Sequence, residues 1–266
     1  MAEGTTSRTE RAVGIELQRR SLTAFVRMLA AGSDSATLYE GDGVIASVVP
    51  AVPDRSVINS VVYRDAESLR AALDDLASAY EEAGVGAWTV WVPDTERAAA
   101  AVLAGAGHML DANPTAMTLD LARLAEPDRD ELDWDSAAAT EDVGRINDLA
   151  YGYPVGTFGA ALARLPGDLP LRLYQARVEG EPACVLGALD DGDDCGIYLV
   201  ATLEDHRGRG LARKLLHIAL AEGRDRGRRT STLQSTKLGY PVYERLGYEP
   251  ICGLEMWERR QPAAGA

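Results

Sequence analysis

HRGRGLARKLL, residues 206–216, decides how this chain is read. Arginine and glycine alternate through 207–210, and an apolar run at helical spacing follows at once. A strand-like segment ends near Val200 to Thr202 and the helix begins near Gly210. The first backbone N–H groups of a helix lack intrahelical partners, and the helix dipole adds partial positive charge. Glycine lets the backbone curl against an incoming group. Such a junction is an anion site, above all for phosphate. It is not a P-loop, because no Gly-Lys-Ser/Thr follows. It is not a dinucleotide fingerprint either: GRGLAR lacks the third glycine, and no acidic residue stands roughly 20 positions on.

Working outward, helix-like and strand-like segments alternate along the chain. A polar tail over 1–10 precedes a helix over 14–32, two strands about Gly-Asp-Gly in 35–50, and a strand over 55–63. DAESLRAALDDLASAYEEAG (65–84) is an amphipathic helix with Leu69, Leu73, Leu76, Tyr80 and Ala83 on one face and Gly84 at its end. A strand at 87–92, a helix over 94–107 opening on an Asp or Thr cap, and a strand at 116–124 complete the first half. The charged segment 125–136 reads as a linker. Helices at 140–152 and 156–167, three strands within 171–203, the helix from 210, a strand at 230–235, a helix at 239–247 and a strand at 249–260 follow. Asp190 to Asp194 is a hairpin turn without EF-hand spacing.

The halves superpose as sequences. Gly84 pairs with Gly227 at an offset of 143, WTVWV with TSTLQ at 142, and Gly107 with Gly247 at 140. This predicts a duplicated unit of roughly 130 residues, with domains 1–128 and 129–266.

The 266 residues carry a formal net charge of −14, which disfavours broad binding to nucleic acid or anionic membranes. No run of apolar residues is long enough for a membrane span, and MAEGTTSRTE lacks the apolar core of a signal peptide. Cys184, Cys195 and Cys252 show no metal-ligand spacing with His108, His206 or His217. No metal, no nucleic acid, no membrane and a reducing cytoplasm are the resulting expectations; the chain is expected to be a monomer or homodimer.

Arg207-Gly208-Arg209-Gly210-Leu211-Ala212 resembles the acyl-coenzyme A loop of the GNAT acetyltransferase superfamily, Gln/Arg-x-x-Gly-x-Gly/Ala, although Glu204 stands where that family usually has proline. TKLGYPVYERLGY resembles its second signature through Tyr243, Gly247 and Tyr248, with Thr236 in place of Asn and Gly239 in place of Ala. The resemblance covers residues 137–260 and, more weakly, the first half. It implies an α/β (α+β) chain of two GNAT-like lobes, each a mixed, mostly antiparallel sheet flanked by helices. It further implies an N-acetyltransferase that moves acetyl from acetyl-coenzyme A to a small-molecule or peptide amine by direct attack. A non-catalytic acyl-coenzyme A sensor is the alternative.

On this resemblance Tyr243 is the acid that protonates the departing thiolate. The cofactor residues are Val200, Ala201, Thr202, Arg207, Gly208, Arg209, Gly210, Leu211, Ala212, Arg213 and Thr236, while Tyr151, Tyr153 and Phe158 fall where the acceptor site lies. Eight basic residues lie between 207 and 229; Arg224, Arg226, Arg228 and Arg229 read as a solvated helix end. No general base is evident: Glu204 and Asp205 cap the loop or face solvent, Ser231 and Gln234 are poor bases, and His206 and His217 read as surface residues. In the first half, VVYRDAESLRAAL has no such loop. Only five residues separate Tyr63 from Leu69, against eleven between Val200 and Ala212, and Leu103 stands at the Tyr243 position. The first lobe is therefore expected to be degenerate, with the cofactor held by the second alone.

Overall fold

The structure, a computed structural model, describes residues 8–261. The polar tail read at 1–10 lies outside the described residues up to position 7, and the first helix, α1 (Arg8–Ala30), is already formed at Arg8. The first half continues as β1 (Thr37–Gly41), β2 (Val44–Val48), β3 (Ser60–Tyr63), α2 (Ala66–Glu82), β4 (Ala87–Pro93), α3 (Arg97–Gly105), β5 (Met109–Ala112) and β6 (Thr115–Asp120). After β7 (Trp134–Asp135) the second half runs α4 (Thr140–Tyr151), α5 (Thr157–Leu162), β8 (Leu171–Val178), β9 (Glu181–Asp191), β10 (Asp194–Thr202), α6 (Leu211–Asp225), β11 (Thr230–Ser235), α7 (Tyr240–Glu244) and β12 (Glu249–Arg260). Both halves place a helix before three antiparallel strands, then a helix, a strand parallel to the third, a short helix and a last strand.

The last strands are exchanged. β6, from the first half, pairs antiparallel with β11; β12, from the second, pairs with β4 through Leu254–Arg260 and with β6 through Glu249–Gly253. The result is a continuous mixed sheet in the order β1-β2-β3-β4-β12-β6-β11-β10-β9-β8-β7, with β5 alongside β12. Met117, Leu119 and Leu121 accordingly belong to the same core as Leu215, Leu216 and Tyr248, on the α6 side of the second half. α2 buries Leu69, Leu73, Leu76 and Tyr80 against β2, β3 and β4; each such leucine contributes about 1.5–3 kcal/mol on burial. α1 and α4 share the core on the opposite face, where Leu22, Phe25, Val26 and Leu29 meet Val143, Ile146 and Phe158.

Several sequence expectations are corrected by side-chain chemistry. Of 55–63 only Ser60–Tyr63 is strand. The Asn59 side chain accepts from the Val49 amide and donates to the carbonyls of Val52 and Arg55, which folds the segment before β3 into stacked turns. β6 stops at Asp120, whose carboxylate caps a short 3₁₀ turn over Leu121–Arg123. α3 has no side-chain cap, from neither the Asp94 nor the Thr95 expected to supply one; Asp94 accepts instead from the Gly253 amide on β12. β5 has no counterpart in the sequence reading. The segment read as a linker is tied along α6: His217 bonds the Ala125 carbonyl, Arg224 donates to that of Leu124, and Arg129 pairs with Glu222. Trp134–Asp135 then forms strand β7 against β8.

Candidate functional site

β10 and β11 run parallel only over Asp194–Gly196 against Thr230–Thr232 and then part. β10 stays on β9, but a bulge interrupts that pairing between Tyr198 and Ala201, where Leu199 takes φ = 59°. A non-glycine residue in the left-handed region costs about 1–2 kcal/mol, and here α4 holds it in place. Asn147 Nδ2 donates to the Leu199 carbonyl at 3.1 Å and Tyr151 Oη to that of Val200 at 3.0 Å. The sheet therefore opens into a notch at the C-terminal ends of β10 and β11.

The loop after β10 closes one side of this notch. Gly208 and Gly210 have φ of 76° and 79°, and a Cβ built on either meets nothing within 4 Å. Glycine is needed there for backbone angle, and the space in front of the backbone is open. No side chain caps α6. The equivalent helix of the first half is capped by its own carboxylate, since Asp65 accepts from the amides of Glu67 and Ser68. The two junctions thus differ in chemistry: the first supplies its own anion, and the second leaves its amide donors to a ligand.

A cleft of about 450 Å³ runs along this junction. Val200, Ala201, Thr202, Arg207, Gly208, Gly210, Leu211, Ala212, Arg213 and Thr236 all line it, as does Tyr243. Arg209 does not; its Nη2 donates to the Asp205 carbonyl. Arg207 lines the cleft but is engaged in holding the loop, donating to the carbonyls of Thr202 at 3.2 Å and Ala150 at 2.8 Å. Arg213 is exposed on the first turn of α6, and Arg245, which the sequence reading passed over, also lines the cleft. His206 is half-buried on the cleft wall with an unpartnered Nδ1, not on the open surface as expected. Glu204 and Asp205 are exposed.

Of the later arginines Arg229 is exposed, as read, but Arg224, Arg226 and Arg228 are half-buried and engaged. Arg226 forks onto both oxygens of Asp190, Arg224 pairs with Glu126, Arg229 with Asp193, and Arg228 donates to the Gly192 carbonyl. They bind the end of α6 to the β9–β10 hairpin and to the connecting segment.

A second cavity, of about 270 Å³, shares Tyr151, Val200, Thr236 and Tyr243 with the cleft and lies beyond them. Tyr153 and Phe158 line it together with Phe25, Arg55, Trp91 and Pro114 from the first half. Gln234 also faces it, and Ser231 is buried away from it against the Tyr248 hydroxyl. Tyr243 is 8% exposed and stacks edge-on against Tyr248. Burial pushes its phenol above the ordinary tyrosine value, with Tyr151 adding to the effect, so it keeps its proton. Gly239 is required beside it, because a Cβ there would stand 2.9 Å from the Tyr243 ring. Thr236 Oγ1 accepts from the Gly239 amide and so builds the turn into α7.

Among the described residues no helix is long and apolar enough to cross a membrane, and no group of three His, Cys, Asp or Glu is placed to hold a metal ion.

Residues 171–250 match the acetyltransferase (GNAT) domain. Solved structures similar to the whole chain include a GCN5-related N-acetyltransferase from Kribbella flavida (17% identity, 92% of this chain and 97% of that one, TM-score 0.67). Another is a GCN5-related N-acetyltransferase from Sphaerobacter thermophilus (18% identity, 92% and 94%, TM-score 0.56). A tandem GNAT protein from the clavulanic acid biosynthesis pathway is also similar (15% identity, 92% and 88%, TM-score 0.54). No curated protein matches the sequence.

Proposed function

We propose that this chain, whose residues 171–250 match the acetyltransferase (GNAT) domain and whose fold is similar to that of solved GCN5-related N-acetyltransferases, is an N-acetyltransferase that takes acetyl from acetyl-coenzyme A and gives it to an amine. The observation that carries this reading is the uncapped, glycine-opened N-terminus of α6 facing the notch between β10 and β11. Its amides and dipole would hold the pyrophosphate, and Arg213 and Arg245 at the cleft wall supply positive charge in an otherwise acidic protein. The β10 segment Val200–Thr202, parted from β11, lines the cleft where a pantetheine arm would lie along it, although its Val200 and Thr202 carbonyls already accept from Tyr151 and Arg207.

Val200, Thr236 and Tyr243 form the wall between cleft and cavity. An amine entering from the cavity side would reach the thioester there. Its lone pair forms the new C–N bond, the carbon–sulfur bond breaks, and sulfur leaves as thiolate toward Tyr243. No hydrogen bond engages the Tyr243 hydroxyl among the described residues, so it is free to donate to that sulfur. Its raised proton affinity makes outright transfer less favourable than for an ordinary phenol; burial would raise a thiol held beside it in the same sense. Among the described residues no carboxylate or histidine lines the cavity, so the amine is expected to react from its neutral form and to lose its proton to water. A cytoplasmic enzyme working as a monomer or homodimer fits this chemistry.

Calorimetric titration with coenzyme A tests the reading and should give one site per chain, because Asp65 occupies the equivalent position in the first half. Release of free coenzyme A thiol from acetyl-coenzyme A in the presence of an amine library should follow. Binding without turnover on any amine would support the sensor alternative, and no binding would refute both.

A further inference from the structure

Arg55 belongs to the stacked turns before β3, yet it lines the cavity beyond Tyr243 and is only 6% exposed. Its Nη1 donates to Asp148 Oδ1 at 3.2 Å, and its guanidinium lies 3.7 Å from the Tyr153 ring centroid and 4.6 Å from that of Phe158. Its Nε is buried and has no partner. Asp148 does not depend on Arg55 alone, since its carboxylate also accepts from the amides of Gly156 and Phe158. A guanidinium carries five N–H donors in a planar fork, and one is used in this ion pair. Because the Nε is sealed from the cavity, an acceptor there would be met by the two terminal nitrogens, which hold one protein partner between them; leaving such charged donors without an acceptor is costly.

Among the described residues Arg55 is the one lysine, arginine, aspartate or glutamate on that wall; Phe25, Trp91, Phe158 and Met256 make much of the rest apolar. A ligand with a second ammonium group would meet the Arg55 guanidinium there, while Asp148 is fully buried and already engaged by Arg55 and two backbone amides. A carboxylate attached to an apolar body matches both features, the fork through paired charge-assisted hydrogen bonds and the wall through burial. At about 270 Å³ the cavity lies at the lower end of small-molecule sites, which suits a small acceptor.

We propose that Arg55 anchors the carboxylate of the acceptor, and that the acceptor is an apolar amine of the amino-acid class. This rests on the transferase reading above. It makes the first half a contributor of specificity, because Arg55, Phe25 and Trp91 all come from it.

The test titrates the full chain, saturated with coenzyme A, with N-acetyl-L-leucine and N-acetyl-L-phenylalanine and with their carboxamides. Acetylation removes the ammonium charge, so each pair differs only at the carboxylate. The acids should bind at least about tenfold tighter than the amides, and Arg55→Gln, checked by its melting curve, should abolish that preference. If Arg55→Gln does not fold, the comparison on the unaltered chain still decides. Amides that bind as tightly as acids, or acids that do not bind at millimolar concentration, would overturn the proposal. Absence of coenzyme A binding would instead overturn the transferase reading, and the acid–amide comparison on the free chain would still judge Arg55.

Discussion

Replacing Gly210 by aspartate separates folding from ligand binding at the α6 junction. Residue 210 has φ = 79°, and an added Cβ meets no atom within 4 Å. The folded chain therefore bears only the left-handed backbone penalty of about 1–2 kcal/mol, a fall in melting temperature of roughly 2–8 °C for a chain of this size. Ligand binding suffers far more. A phosphate at a helix N-terminus gains up to about 2 kcal/mol from the dipole, and a charge-assisted hydrogen bond adds about 1.5–3 kcal/mol. A carboxylate at this position displaces the first contribution and repels the phosphate. Losing about 3 kcal/mol or more corresponds to at least roughly a 100-fold weaker Kd. Gly210→Ala carries the same backbone penalty without the charge and should lose much less affinity. Calorimetry with coenzyme A, alongside melting curves for both variants, measures the two effects independently. A folded Gly210→Asp protein that bound coenzyme A within about threefold of the unaltered chain would refute the assignment of this junction as the phosphate site.

Tyr243→Phe keeps the ring that packs on Tyr248 and removes only the hydroxyl, so acetyl-coenzyme A affinity should hold while kcat falls at least about tenfold; unchanged single-turnover rates would reduce Tyr243 to a packing residue. Residues 129–266 alone lack β6, the strand between β11 and β12, and should aggregate or remain unfolded by circular dichroism and gel filtration; a soluble, cooperatively folding fragment would contradict the interlocked sheet. His108 is buried against Trp88, and burial, reinforced by Arg259 and only partly offset by the Leu103 backbone, pulls it down to about 4. Its folded value is depressed below an unfolded value of about 6.5, so as pH falls from about 6.5 to 4 the unfolded state takes up the proton first, and about 3 kcal/mol of stability is lost across that window. Asp194, raised to about 6 mainly by burial, works in the opposite sense, because stability falls as pH rises from about 4 to 6. Denaturant titrations of the unaltered chain and His108→Gln across that range isolate the histidine by difference; parallel profiles would show that His108 does not titrate as its burial requires.

Local sequence determined most of the elements and the character of the junction. The Leu69/Leu73/Leu76/Tyr80 spacing produced the buried face of α2, Asp65 caps it by short-range geometry, and the Gly208–Gly210 angles follow from residues that only glycine readily supplies. The repeated order of elements followed from the same periodicities, because helix and strand patterns are written within a few neighbouring residues. Strand partnership is not written there. β6 and β12 carry ordinary strand patterns, and nothing local says that each leaves its own half; pairing is decided by which edge is free and which face is buried when the whole sheet assembles. The fate of the charges was equally hidden. Whether an arginine is free for a ligand depends on the groups the fold brings to it. Arg226 meets Asp190, and Arg207 meets two backbone carbonyls, while Arg213 is left at the cleft wall. Arg55 and Asp148 lie 93 positions apart, so only the packed molecule could place a guanidinium from the first half, with one of its donors used, at the cavity beside Tyr243.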